Sequence, residues 1–148
     1  MKSIVTLMGV AMLAMGSLMA HAQQTANPGS TAQAAAAKSQ KLNRAQFDAL
    51  LAKPAEVLVL DVRRPDELTK NGGFPVYLSI QSRELEKNLA FVPKDRSIVT
   101  VSNHAGRAVA AADLLARNGF KVAGAIGAQD YEAEGGSLVK IAPPAPKN

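Results

Sequence analysis

Between residues 102 and 107 the chain reads Ser102-Asn103-His104-Ala105-Gly106-Arg107, which gathers a hydroxyl, a carboxamide, an imidazole and a guanidinium into six positions. Ser102 and His104 are the residue types that make a nucleophile and its base. Their spacing within one tight loop does not favour good hydroxyl–imidazole geometry, and no third group is identifiable to orient the ring. Thiol chemistry is excluded outright. The chain has no cysteine, so disulfides, Cys-ligated zinc or iron–sulfur sites, a lipidated N-terminal Cys and every thiolate nucleophile are ruled out. Metal binding has no support either, because the only histidines are His21 and His104 and the carboxylates are not clustered. No cofactor is expected.

The elements around this loop read as alternating strand and helix. Asn43-Arg44-Ala45-Gln46 resembles a capping box, and Ala45, Phe47, Leu50 and Leu51 form the apolar face of a helix ending before Pro54. Val57 to Leu60 is an unbroken aliphatic run, the mark of a strand covered on both faces. It ends in Asp61-Val62-Arg63-Arg64-Pro65. Gly72-Gly73-Phe74-Pro75 is a turn, Val76 to Ile80 a second short strand, and Ser82 is expected to cap a helix carrying Glu84 and Glu86 near its positive end. Ser97 to Val101 is a third strand. The 102–107 loop follows, then a helix from about Arg107 to Asn118, whose Ala108, Ala110, Ala111 and Ala112 permit close packing, with Gly119 as its stop. Phe120 to Ile126 is the last strand, and Gly127 to Gly136 a loop with a short helical turn. Strand, crossover and strand repeated in this way give a mostly parallel sheet, whose ligands sit at the carboxyl ends of its strands. The loop lies there.

The ends of the chain differ from this middle. Lys2, the apolar stretch Ile4 to Met19 and Ala20-His21-Ala22 have the order of a secretory signal peptide, residues 1–22, with cleavage expected after Ala22. That implies a periplasmic or secreted protein with no stable membrane span after cleavage. Residues 23–40 lack large apolar side chains and read as a flexible low-complexity tether. Residues 143–148 form a Pro-rich tail. One folded unit remains, residues 41–142. The 148 residues carry a formal charge of +5 from 17 basic and 12 acidic side chains. The basic residues are scattered, with no stripe and few aromatics, which argues against nucleic acid and supports only a mild attraction for anions. With aromatics at 4% and no Trp, an aliphatic core is expected.

The segment Leu42 to Val139 resembles the rhodanese-like domain family in four stretches that occur in the right order. Leu58-Val59-Leu60-Asp61-Val62-Arg63 with Glu67 is similar to the family's strand followed by DVR-x-x-x-E. Gly72-Gly73-Phe74-Pro75 to Ile80 is similar to its Gly-His-Ile-Pro-Gly-Ala-x-x-Ile element, with Gly73 where His is usual. Ser102 to Arg107 resembles the six-residue active-site loop that runs from Cys to Arg, followed by Ala111-Ala112-x-Leu114-Leu115 and Gly119-Phe120. Gly127 to Gly136 resembles the closing Gly-Gly-x-x-x-Trp segment, with Ala128 and Tyr131 substituted.

The resemblance implies an α/β fold, a small, mostly parallel five-stranded sheet flanked by helices. It also puts Ser102 at the cysteine that carries sulfane sulfur in active members. A serine hydroxyl is far less acidic than a thiol and forms no persulfide, so the sulfurtransferase reaction and the cysteine-phosphatase reaction of related folds are expected to be absent and no catalytic residue is assigned. The alternative is residual, non-covalent activity on thiosulfate-like substrates. The loop's converging N–H groups at a helix start still form an anion-binding concavity. Expected partners are therefore a small oxyanion (sulfate, thiosulfate or phosphate) or a periplasmic protein, bound by Ser102, Asn103, His104, Ala105, Gly106 and Arg107. Two readings stand for several of these. Arg107 either contacts ligand as a planar donor or braces the loop through a carboxylate such as Glu67. Ser102 either donates into the concavity or merely fills space. His104 either strengthens anion binding at mildly acid pH or faces solvent idly. Asp61 and Arg63 either rim the pocket or pair locally with backbone N–H groups.

Overall fold

Aliphatic runs without polar alternation have to be covered on both faces, and that requirement organises the computed structural model, which describes residues 38–143. Three such runs become β1 (Val57–Asp61), β3 (Ser97–Ser102) and β4 (Val122–Gly127), and β2 (Leu78–Ser79) joins them at one edge. All pairings are parallel, in the order β2-β1-β3-β4. The helices are α1 (Arg44–Leu51), α2 (Pro65–Asn71), α3 (Ala105–Arg117) and α4 (Ala128–Ala133), with a 3-10 helix at Glu86–Phe91. The expected signal peptide lies outside the described residues, as do the tether and tail apart from residues 38–40 and Pro143. Among the described residues no helix is long and apolar enough to cross a membrane.

The sheet has four strands rather than the expected five. Beyond β4, Lys41 forms only an isolated parallel bridge with Ala125, made by Leu42 N–H to Ala125 O and Ala125 N–H to Gln40 O, both 2.8 Å. Asn43 then caps α1, receiving the Gln46 N–H at 2.9 Å while Gln46 Oε1 receives the Asn43 N–H at 3.0 Å. The capping box turns the chain into a helix before a ladder can lengthen. At the other edge, the Val76–Ile80 strand shrinks to two residues. Its approach is held away by Gly73, which pairs antiparallel with Val139 through bonds of 2.9 and 2.8 Å.

Two helical expectations change as well. Ser82 is not a helix N-cap: the helical segment that follows begins only at Glu86, with Leu85 as its N-cap, and the Ser82 N–H donates to Val62 O at 3.0 Å, extending the bonding of β2 to β1. The segment after it makes turns and a 3-10 helix kinked at Asn88, whose side chain donates to Glu84 O at 2.8 Å and competes with the backbone for that carbonyl. Conversely, α2 forms where the sequence reading had strand end and turn. Pro65 at its first position is preset for helix, and Asp66 and Glu67 in the first turn complement its dipole.

Side chains from the sheet pack on two sides. Val57, Val59, Val99, Val101 and Ile126 point to one face with α1 and α4, and Leu60, Val62 and Ile98 to the other with Ala111, Leu115 and Phe120. The first face is not purely aliphatic. Phe47, Phe74 and Tyr131 meet edge to face with centroids 4.8, 5.7 and 5.3 Å apart, each such pair adding about 0.5–1.5 kcal/mol beyond area burial. On the second face Ala108 and Ala112 of α3 lie against Ala125, so the helix sits close to the carboxyl ends of β3 and β4. This contact fixes the height of the loop between β3 and α3.

Candidate functional site

The loop leaves β3 at Ser102 and enters α3 at Ala105, two residues earlier than expected, with His104 as the N-cap in extended conformation. Ala105, Gly106 and Arg107 thus belong to the first helical turn. Ser102 is fully buried. Its Oγ donates to His104 O at 2.5 Å and accepts from Ala108 N–H at 2.9 Å. A hydroxyl has one proton to give, and here the loop's own backbone takes it. Ser102 therefore offers neither a donor to a ligand nor a nucleophile to a base, and the imidazole two residues on is turned elsewhere. His104 Nδ1 lies 2.8 Å from Asp130 Oδ1 on α4.

Two arginine–carboxylate pairs frame the loop. Arg107 grips Glu67 of α2 with both terminal nitrogens, Nη1 to Oε2 at 2.9 Å and Nη2 to Oε1 at 2.6 Å. Oε2 also accepts from Arg64 N–H at 3.0 Å and Oε1 from Asn103 Nδ2 at 2.7 Å. Hydrogen bonding to Arg107 brings the Glu67 carboxyl down to about 2, against the opposing effect of burial, and Glu67 in turn raises Arg107. Asp61 and Arg63 are both wholly buried. Arg63 Nε and Nη2 reach Asp61 at 3.0 and 2.7 Å, and the Arg63 N–H donates to Asp61 Oδ1 at 3.0 Å. The remaining Arg63 nitrogen, Nη1, donates to Asn103 Oδ1 at 3.3 Å, where the Asn71 amide also arrives at 3.3 Å.

These contacts assign geometry to each residue singled out in the sequence. Arg107 braces through Glu67, Asp61 and Arg63 pair with each other beneath the loop rather than rimming it, and Asn103 joins both pairs. His104, by contrast, has a side chain that is 72% exposed, and Gly106 is exposed, with nothing within 4 Å of where a Cβ would stand. The Gly106 and Arg107 N–H groups have no acceptor among the described residues. Gly106 lines a cleft of about 550 Å³ together with Lys38, Lys41, His104 and Ala105, with Asp130 and Asp113 on its wall.

Asp130 is the site residue that sequence reasoning missed. Besides His104 it meets Lys41 Nζ at 3.1 Å and Ala105 N–H at 3.4 Å, and the His104 contact leads the influences that lower its carboxyl. A Cβ on Gly127 would come within 2.3 Å of Asp130 Oδ2 and 2.9 Å of Ala105 N, so the glycine is what lets α4 approach the loop this closely. That glycine, in the closing segment of the resemblance, was the one available sign that this stretch approaches the loop. Asn71 was also missed, together with the helix that carries it.

No protein-family model matches the chain, and no curated protein matches it either. Solved structures do. A rhodanese-related protein from Thermoplasma volcanium superposes with a TM-score of 0.60 at 26% identity, over 69% of this chain and 99% of that one. A protein of unknown function from Rhodopseudomonas palustris, described as a possible tyrosine phosphatase, gives 0.59 at 24% identity over 68% and 85% of the two chains. A rhodanese-like domain protein from Staphylococcus aureus gives 0.55 at 19% identity over 62% and 90%. The last two speak for the fold alone. Parallel sheet, loop at the end of β3, following helix and bracing arginine all agree with the resemblance read from the sequence: the chain has the rhodanese-like fold and is similar to rhodanese-related proteins, with no cysteine of its own.

Proposed function

We propose that this protein is an exported, non-catalytic binding module that holds a small oxyanion at the outer side of the 102–107 loop. The observation that carries this reading is the pair of N–H groups at Gly106 and Arg107 that have no acceptor among the described residues, at a helix start whose Gly106 lines the cleft with Lys38, Lys41 and His104. Amides at the start of a helix, joined by basic side chains, attract anions without any thiol. The alternative, residual non-covalent activity on thiosulfate-like substrates, draws no support from Ser102, whose hydroxyl is bonded within the loop. Thermal unfolding of the chain with sulfate, thiosulfate, phosphate and sulfite tests the proposal. An anion at 100 times its dissociation constant adds about 2.7 kcal/mol, and Gly106→Asp, which meets open space and adds a carboxylate to the cleft, abolishes the shift while leaving the unliganded melting temperature in place.

The second reading is recognition of a periplasmic protein by the same surface. It is favoured by the saturation of the loop's inner polar atoms and by the carboxylates of Asp113 and Asp130 on the cleft wall. No stabilisation by any of the four anions would remove the oxyanion reading and leave this one.

A further inference from the structure

Asp130 stands on the wall of the cleft that Gly106 lines, and its Oδ2 accepts from the Ala105 N–H at 3.4 Å. Ala105 opens the first turn of α3, so an anion held at that helix start has this carboxylate as its neighbour. The side chain is 25% exposed, and its carboxyl is held below the ordinary range, by the His104 contact above all. It is therefore ionised near neutral pH and can only accept hydrogen bonds. Its acceptor positions are nearly filled. His104 Nδ1 takes one at 2.8 Å and carries the proton of that contact, Lys41 Nζ takes another at 3.1 Å, and the Ala105 N–H a third. A carboxylate offers about four. The remaining position can take a donor from within the cleft, whereas a second negative charge without a proton is repelled.

Building on the oxyanion reading, we propose that Asp130 is the specificity-determining residue of the cleft, and that it makes inorganic phosphate the ligand in preference to sulfate, thiosulfate and phosphomonoesters. Hydrogenphosphate keeps a proton near neutral pH and can donate it to the remaining lone pair of Asp130, in an O–H···O⁻ bond of the short, charge-assisted kind. Sulfate and thiosulfate have no proton to give, and a phosphomonoester loses its last at about pH 6. To these the same carboxylate presents an unrelieved like charge. One residue thus supplies both the attraction and the repulsion that discrimination needs. Lys38, Lys41 and the helix start attract all of these anions alike, so the choice among them falls to the carboxylate.

The test compares ligands of equal charge. At about pH 8, well above the last ionisation of a phosphomonoester, phosphate, sulfate and methyl phosphate are all chiefly dianions, and only phosphate retains a proton. Calorimetric titration of the full chain at constant ionic strength is expected to give phosphate a dissociation constant about tenfold or more below those of sulfate and methyl phosphate, the size of one good hydrogen bond. Asp130→Asn, which keeps the shape of the side chain, is expected to bring the three within about threefold, chiefly by tightening sulfate and methyl phosphate. Asp113→Asn, at the cleft's other carboxylate, is expected to keep the parent order. Sulfate or methyl phosphate binding the parent chain as tightly as phosphate, a preference that survives Asp130→Asn, or one removed by Asp113→Asn would each overturn the proposal and leave the oxyanion reading in place. No binding by any of the three would also overturn it, and the thermal panel then shows whether the oxyanion reading falls with it. The parent comparison decides even where a variant does not fold.

Discussion

The two arginine–carboxylate pairs beneath and beside the loop use the same chemistry in opposite settings. Asp61–Arg63 is sealed, both side chains at 0% exposure, whereas Glu67–Arg107 is half open at 13% and 39%. Removing two charges from water is costly, and a sealed pair recovers that cost only if its hydrogen bonds are nearly all made. Arg63 meets that condition by bonding both Asp61 oxygens and Asn103. The half-open pair carries less desolvation and has another use. It ties α2 to the first turn of α3, across the loop. The sealed pair thus sets the floor of the site and the open one its width, and Asn103 is the joint between them.

The comparison breaks most visibly at its buried member. Arg63→Leu leaves Asp61 buried without its partner and is expected to cost about 3–5 kcal/mol in urea unfolding, whereas the double change Asp61→Leu with Arg63→Leu costs less than the single one. A double variant as unstable as the sum of its parts would contradict this account. At the open pair, Glu67→Gln is expected to cost about 2 kcal/mol near neutral pH, the range of a hydrogen bond to a charged group. The pH dependence has a definite sign. The folded-state carboxyl lies at about 2 against 4.5 unperturbed, so its contribution is complete above about pH 4.5 and fades as pH falls toward 2. The stability gap between the parent chain and Glu67→Gln should close over that interval. The smallest effects separate the inner from the outer loop. Ser102→Ala strips the bond partners of His104 O and Ala108 N–H and is expected to cost about 1 kcal/mol. His104→Ala, at a contact that is largely exposed, should change stability by about 0.5 kcal/mol or less. Equal losses from the two would erase the distinction between a saturated inner face and an open outer one.

What was legible in the sequence was whatever is encoded locally. The aliphatic runs at 57–60 and 97–101 announced buried strands, the capping box announced α1, and the order of four short motifs announced the fold. The motif that named Glu67 also supplied its partnership with Arg107. α2 was missed because Pro65-Asp66-Glu67-Leu68-Thr69-Lys70-Asn71 has only one apolar side chain and hence no periodicity. Its signs were a proline at the first turn and two acids after it. Asp130 was not readable as the partner of His104, because that contact depends on how closely α4 approaches the loop, for which Gly127 was only an indirect sign. Composition misdirected the core. Aromatics at 4% suggested aliphatic packing, yet three of the six rings come together from separate segments of the chain.

That ring cluster also makes the protein its own optical probe. The chain has no tryptophan and two tyrosines, so Tyr131, fixed between Phe47 and Phe74 with its hydroxyl on Asp48 at 2.8 Å, should dominate the near-ultraviolet circular dichroism. It adjoins Asp130 in α4, the residue that receives His104. A change of loop state that shifts α4 would be seen as a change in tyrosine signal, with no label attached.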